Sequence, residues 1–393
     1  MSAGARAGYK QTDVGVIPED WAVAELQAVC AETITYGIVQ CGPHIANGVP
    51  YIRVSDMNGS DLDVSGMLRT THAIASKFAR SRVEEGDLVY ALRGQIGEVR
   101  SVDQSVAGAN LTQGTARLSP TKQVISTFLL YCLRSQQALR QADLSAKGST
   151  FREITLESLR RIQVPIAPLP EQRAIATALS DVDALLSGLD SLIAKKQNLK
   201  QAAMQQLLTG QTRLPGFNGE WEVKRLGDVV EIQKGQLITE KTVIFGEVPV
   251  IAGGKKPAYF HNQPNRIGKT ITVSASGASA GYVELFDRPI FASDCSTISE
   301  GKDYSIEFIC FQMQLRQGLI YRAQTGGAQP HIHAVDLAPI EIGCPELVEQ
   351  TAIATVLSDM DTELAALQAR LGKTRALKQG MMQELLTGRI RLV

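Results

Sequence analysis

The 393-residue chain lacks any run of about 18 apolar residues, which excludes an ordinary transmembrane helix. Its start, MSAGARAGYKQTDVGVIPEDW, lacks the apolar core of a secretory signal, so a cytosolic (cytoplasmic) protein is expected. No CxxC pair occurs. The six cysteines, Cys30, Cys41, Cys132, Cys295, Cys310 and Cys344, have spacings that fit neither a zinc site nor a disulfide framework. They read as reduced, scattered, mostly buried thiols. The chain also lacks a charge of one sign, with 40 basic and 40 acidic side chains. Nor does any large segment hide an excess: residues 1–165 carry 17 basic and 16 acidic groups, and residues 218–345 carry 12 and 14. A basic domain is the usual footprint of nucleic-acid binding. Any such contact here must rest on local patches, with further phosphate neutralisation left to partner subunits.

Catalytic patterns are missing as well. There is no DPPY or NPPF-like motif of an amino-methyltransferase, and no Gly-rich loop follows a strand to hold S-adenosylmethionine. Gly372-Lys373-Thr374 looks like the end of a phosphate loop, but residue 367 is Leu where a Gly is required and the site falls mid-helix. His331 and His333 flank Ile332 like two side chains on one strand face, and two ligands do not make a metal site. Five histidines with no Ser-His-Asp or Cys-His grouping leave acid–base catalysis few players. A self-contained enzyme is therefore not expected, and no catalytic residue or metal is assigned.

What the chain does have is a repeat. EQRAIATALSDVDALLSGLDSLIAKKQNLKQAAMQQLLTGQTRL (171–214) aligns without a gap to EQTAIATVLSDMDTELAALQARLGKTRALKQGMMQELLTGRIRL (349–392), with 24 of 44 positions identical at an offset of 178. Gly148, Ile154, Leu159 and Ile162 pair at the same offset with Gly326, Ile332, Leu337 and Ile340. Trp21, Leu26 and Val29 match Trp221, Leu226 and Val229 at an offset of 200. The chain is thus a duplicated unit: a mixed domain, a long helix, and the same plan again.

In the first copy Ile175, Leu179, Val182, Leu186, Leu189 and Ile193 recur at alternating spacings of four and three. The second copy places Ile353, Leu357, Met360, Leu364, Leu367 and Leu371 there. This is a heptad seam. Pro170 and Glu171 suit a helix start, Gly210 and Gly388 a stop, and Lys195, Lys196 and Lys200 lie in the later half, where the helix dipole favours cations. Each helix would run about 38 residues, roughly 57 Å. So narrow a stripe needs a partner, and the other copy of the helix, packed antiparallel, is the expected one. Identical positions off the seam ask for a second cause. They include Gln172, Ala174, Ala176, Thr177, Ser180, Asp181, Asp183, Lys200, Gln201, Met204 and Gln205 with their second copies. The expectation is that each copy docks an identical partner.

The domains that precede each helix, residues 1–165 and 218–345, read as β-rich. ITVSASG, PIEIGC, GDLVYALRG and RIQVPIAP are short apolar or alternating runs bounded by Gly and Pro. Short helices are predicted over 122–141 and 303–322, each followed by a glycine turn, Gly148-Ser149 and Gly326-Gly327. The fold class is α+β, divided as 1–165, first domain; 166–215, first long helix; 216–345, second domain; and 346–393, second long helix.

Taken together, PLPEQRAIATALSDVDALL, KQAAMQQLLTG and their second copies resemble the specificity subunit of type I restriction-modification enzymes. ITYGIVQ…GVPYIRVSDMNG (34–59), GDLVYALRGQIGEV (86–99) and TGGAQPHI (325–332) add to the likeness, which spans nearly the whole chain. It implies that each variable domain is a target recognition domain reading half of a split sequence in double-stranded DNA, and that the helices are a ruler for the unread gap. It further implies that two modification (methyltransferase) subunits, which use S-adenosylmethionine, dock on the helices, and that restriction subunits, which use ATP and Mg, join them. The alternative is a coiled-coil adaptor that joins two β-rich protein-binding domains and touches no DNA.

Base edges and phosphates are met by bidentate and basic side chains on loops. The candidates are Tyr36, Gln40, Arg53, Asn58, Arg93, Gln95 and Asn110 in the first domain. In the second they are Lys234, Gln236, Lys255, Lys256, Tyr259, Ser276, Gln329 and His331. Lys255-Lys256 stands out, because Gly253-Gly254 before it permits close backbone approach.

Overall fold

A computed structural model describes residues 7–59, 61–148, 152–326 and 329–392. Ser149 and Gly327, assigned above to turns, lie outside them. The chain forms two compact units. The first holds residues up to Gly188 together with Leu371 onward, and the second holds Leu189–Arg370. The boundary therefore falls inside each long helix, so each unit contains a β-rich head, the start of one helix and the end of the other.

The long helices are Leu169–Leu207 and Leu347–Leu385, 39 residues each, about 58 Å at 1.5 Å per residue. Pro170 sits in the first turn, where its missing N–H costs nothing. Gly210 and Gly388 follow the ends with φ of 70° and 67°, the left-handed conformation that closes a helix. A Cβ on Gly388 would come within 2.5 Å of Pro18, so that turn also needs glycine for space.

The seam residues are all buried or half-buried, but in two ways. Ile175 and Leu179 belong to the first head's core with Trp21, Phe128 and Leu159, joined by Leu385 and Leu386 from the end of the second helix. Ile353 and Leu357 do the same in the second unit with Phe308 and Leu337, joined by Met204, Leu207 and Leu208. Complete burial of each such side chain contributes about 1.5–3 kcal/mol. The helix ends are thus anchored in a head rather than only against each other.

Ion pairs give the direction of packing inside each unit. In the second, Lys196 pairs with Glu363 at 2.7 Å and Lys200 with Asp361 at 2.5 Å. Residue numbers rise on one helix as they fall on the other, so the segments are antiparallel. In the first, Asp183 meets Lys378 at 2.6 Å and Glu171 meets Arg391 at 2.5 Å, again in opposite order. These pairs correct two expectations. Asp183, Asp361, Lys200 and Lys378 bind one another across the helices, so their repetition has a cause inside the fold. Lys196 and Lys200 answer facing carboxylates more than a helix dipole.

The heads share one strand order. In the first, a four-stranded sheet runs Thr35–Tyr36, Thr115–Leu118, Leu88–Ala91, Val99–Ser101. In the second, the order is Gln233–Lys234, Cys295–Ser299, Lys269–Ser274, Val283–Asp287. Beside each lies a three-stranded sheet. Val49–Ile52 pairs antiparallel with Arg69–Thr70 and parallel with Asn110–Leu111. Val248–Ile251 pairs antiparallel with Tyr259–His261 and parallel with Phe291–Ala292. Helices Ser126–Arg134 and Ile306–Leu315 bury Phe128 and Phe308 beneath them. Both predicted short helices are split, the first at Ser135 and the second at Arg316, with Gln136–Ser145 and Gln317–Arg322 as the following pieces. All six cysteines are free thiols, five of them buried and Cys41 half-buried.

Candidate nucleic-acid interface

One arrangement of backbone recurs in both heads and carries unlike side chains. The strand Leu88–Ala91 continues to Leu92 and Arg93, and Arg93 forms an antiparallel bridge with Glu153. Glu153 also exchanges two backbone hydrogen bonds with Lys147, which close the loop between them, and Ile154 N–H donates to Leu92 O at 2.8 Å. In the second head Ser276 bridges His331, His331 exchanges two bonds with Thr325, and Ile332 N–H donates to Ala275 O at 2.9 Å. Gly148 and Gly326, with φ of 92° and 82°, start the two loops. Arg93 and Ser276 therefore occupy equivalent positions, as do Glu153 and His331.

A second shared point is a glycine at the end of the edge strand. A Cβ on Gly37 would lie 1.9 Å from Leu111 O, and one on Gly235 would lie 2.1 Å from Ser293 O. No side chain fits at either place, so two loops cross at backbone contact. The preceding residues, Tyr36 and Lys234, face Ala116 and Ser296 in equivalent strands. Both are exposed.

In the second head the structure gathers several candidates. A Cβ on Gly253 would meet Ser276 O at 2.7 Å and Asp294 Oδ2 at 3.3 Å, so the glycine pair seats its lysine loop on this spot. Lys255 Nζ then lies 5.0 Å from the centroid of the Tyr282 ring, a cation–π contact that holds the charge at the surface. The Ser276 hydroxyl donates to Asp294. The His331 and His333 rings stack 6.4 Å apart at 9°, with Ile332 between them buried, as two side chains on one strand face should be. Lys234, Asp294, Ser296 and His333 line one pocket. Lys256, Gln236 and Gln329 are exposed, and Tyr259 lies on the edge strand opposite Val250.

In the first head, Arg93 is exposed and lies over Gly114, where a Cβ would come within 2.8 Å of its Nε. Arg53 is half-buried and spent on Asp56, with contacts of 2.6 and 3.1 Å. That contact raises the Arg53 pKa, the hydrogen bond to Asp56 being the largest cause. Gln40, Asn58 and Gln95 are exposed on loops, with no side-chain hydrogen bond among the described residues. Asn110 is a correction. It is 1% exposed, is paired with Tyr51 in a parallel ladder, and donates from Nδ2 to Ala75 O at 3.1 Å. A side chain so enclosed packs the head and cannot reach a groove.

Sequence reasoning took His333 only as the strand-face neighbour of His331, and it missed Asp294 and Glu153. Their signal lies in strand pairing, because Asp294 and Glu153 become notable only once Ser276 and Arg93 are seen beside them.

A protein with two heads of one topology and unlike surface chemistry, each bound to antiparallel helices, belongs to the class of duplicated recognition modules. The chain matches the family described as Type I restriction modification DNA specificity domain twice, over residues 18–200 and 218–373, and it belongs to that family. The Putative type I restriction enzyme MjaX specificity subunit of Methanocaldococcus jannaschii is 26% identical, over 98% of this chain and 97% of that protein. The Type I restriction enzyme EcoBI specificity subunit of Escherichia coli is 25% identical over 50% of this chain and 43% of its own length. The crystal structure of the type I restriction-modification system S subunit from M. genitalium shares the fold, with a TM-score of 0.66 and 17% identity over 93% of this chain and 96% of that one. Among the described residues no helix is long and apolar enough to cross a membrane.

Proposed function

We propose that each head reads one half of a bipartite site in duplex DNA, that the long helices set the unread gap, and that the chain supplies recognition without catalysis. The observation that carries this reading is the shared frame with unlike contents: Arg93 and Glu153 in one head, Ser276 and His331 in the other. Two readers of different half-sites need one way to sit on a duplex and two sets of base contacts.

Two methyltransferase subunits would dock on the helices. The repeated positions left for them are those exposed in both copies: Thr177/Thr355, Asp181/Asp359, Lys195/Lys373, Leu199/Leu377, Gln201/Gln379 and Gln205/Gln383. Leu199 and Leu377 are 48% and 60% exposed, a pair of apolar side chains kept at the surface twice over. S-adenosylmethionine would be bound by those subunits, and ATP with Mg by restriction subunits. The assembly would work in the cytoplasm beside the genome.

The test is selection from a random duplex library by the complex reconstituted with its methyltransferase partners. Enrichment of a split motif with a fixed gap supports the reading, and replacing residues 1–165 by a relative's head should then change one half only. Failure to enrich any bipartite sequence, or a change in both halves at once, rejects it.

A further inference from the structure

Position 93 and its equivalent 276 carry more than general contact with DNA. Resting on the DNA-reading function just proposed, we infer that Arg93 is a base-reading residue of the first head, selecting guanine at one position of its half-site.

Three features of the structure point there. First, the Arg93 backbone is fixed from both sides. Glu153 bridges it, Leu92 N–H donates to Gly114 O at 2.9 Å, and Ile154 N–H donates to Leu92 O at 2.8 Å. Second, its guanidinium is uncommitted, having no hydrogen bond or ion pair among the described residues. Arg53, Arg100 and Arg117 of the same head are all tied to carboxylates. Gly114 leaves the space that the Arg93 side chain crosses. An exposed, unpaired guanidinium on a rigid strand end is preorganised for a ligand that accepts two parallel N–H groups.

Third, the equivalent residue in the second head is Ser276, whose hydroxyl donates to Asp294. Phosphates are identical in every half-site, so a phosphate contact in a shared frame would keep its cation in both heads. Base edges differ between half-sites, so a base contact should differ between heads. This position exchanges a forked donor for a hydroxyl backed by a carboxylate acceptor, a change that alters which edge is matched. The guanine major-groove edge, O6 and N7, is the surface a guanidinium meets with two hydrogen bonds.

The experiment is library selection with the full complex carrying wild-type, Arg93→Ala or Arg93→Gln chain, read position by position at two salt concentrations. The expected result is a guanine in one half-site of the wild-type motif whose preference falls roughly 5- to 150-fold in both variants. The other half-site and the gap stay as they were. Uniform weakening across all sequences, with the salt slope reduced by about one, would make Arg93 a phosphate contact and overturn the inference. So would an unchanged motif. If the wild-type complex selects no split sequence, the DNA-reading function itself fails, and that outcome is distinct from a motif that ignores Arg93.

Discussion

Removing Arg391 should destabilise the first unit and leave the second untouched. Glu171 is fully enclosed, and its carboxylate accepts from Arg391 Nε at 2.5 Å, Arg391 Nη2 at 2.7 Å and Trp21 Nε1 at 2.9 Å. Arg391 also binds Asp20 at 2.8 Å, and its pKa is raised by that hydrogen bond first and by Glu171 second. Arg391→Ala would strand a buried carboxylate with one N–H partner. Such losses cost about 3–5 kcal/mol. Arg391 is 32% exposed, so water can enter the space it vacates, and about 3 kcal/mol is the appropriate end of the range. With a urea slope of about 2 kcal/mol per molar, the midpoint should fall by about 1.5 M. The second unit repeats the clamp: Arg213 reaches Glu349 with two contacts of 2.6 Å, and Trp221 Nε1 donates to Glu349 at 3.3 Å. The chain has only two tryptophans, so each clamp contains the reporter of its own unit. In a Trp221→Phe background, Arg391→Ala should shift the Trp21 fluorescence transition and Arg213→Ala should not. In a Trp21→Phe background the roles reverse. An Arg391→Ala variant that moves neither transition, or both equally, refutes the clamp.

Other outcomes follow from the same contacts. Asp20 has its pKa lowered below 3.8, first by the hydrogen bond from Arg391. The stability this contributes is present above the unfolded value and lost as pH falls through the folded one. Titration of Asp20 by NMR should therefore return toward 3.8 in Arg391→Ala, and an unchanged value would deny the contact. Burial pushes the Cys30, Cys295 and Cys310 thiols up to about 12 and raises Cys132 and Cys344 as well. Partial burial raises the Cys41 thiol too, so native protein at pH 8 should give only slow labelling by iodoacetamide, confined to the half-buried Cys41, and labelling of two or more thiols counts against the packing. Leu364→Asp puts a carboxylate where a side chain is 9% exposed, with an expected loss of about 3 kcal/mol on urea unfolding. A change under 0.5 kcal/mol would contradict the seam. Inserting one helical turn, about 5.4 Å, into each long helix should widen the selected gap by one or two base pairs at about 3.4 Å each. An unchanged gap would remove the ruler.

The helices could be read from the sequence because their burial repeats at a fixed interval and their ends carry Pro and Gly at the required places. The shared plan of the heads showed at their two ends, in Trp21, Leu26 and Val29 against Trp221, Leu226 and Val229 and in Gly148 to Ile162 against Gly326 to Ile340, but the matching strand order between could not be read. The first head spends residues 71–87 between two strands, including the helix His72–Lys77, where the second uses only 262–268. Insertions of that size destroy sequence register while leaving strand pairing intact, because loops can lengthen at little cost in closure entropy. So Val49–Ile52 and Val248–Ile251 can be equated by their ladders although the chain numbers drift. Asn110 misled for a related reason. An amide in a short polar stretch reads as a surface loop, and only the parallel ladder with Tyr51 reveals that it is inside.

The pattern of identity in the repeat now divides by cause. Glu171/Glu349 and Arg213/Arg391 persist as clamp partners, Asp183/Asp361 and Lys200/Lys378 as cross-helix ion pairs, and Gln172/Gln350 for another internal task. Gln172 accepts from Ile125 N at 2.8 Å, and Gln350 accepts from Ser305 N at 3.1 Å, each fixing the start of a head's main helix. Every one of these is a contact inside a unit, and each has its copy in the other unit, so duplication alone would keep it as long as the fold matters. Leu199 and Leu377, with Gln201 and Gln379, have no such duty and are exposed, yet they are equally preserved. Folding gives no comparable reason for that, and it is on these positions that the proposed docking of a like partner at each copy rests.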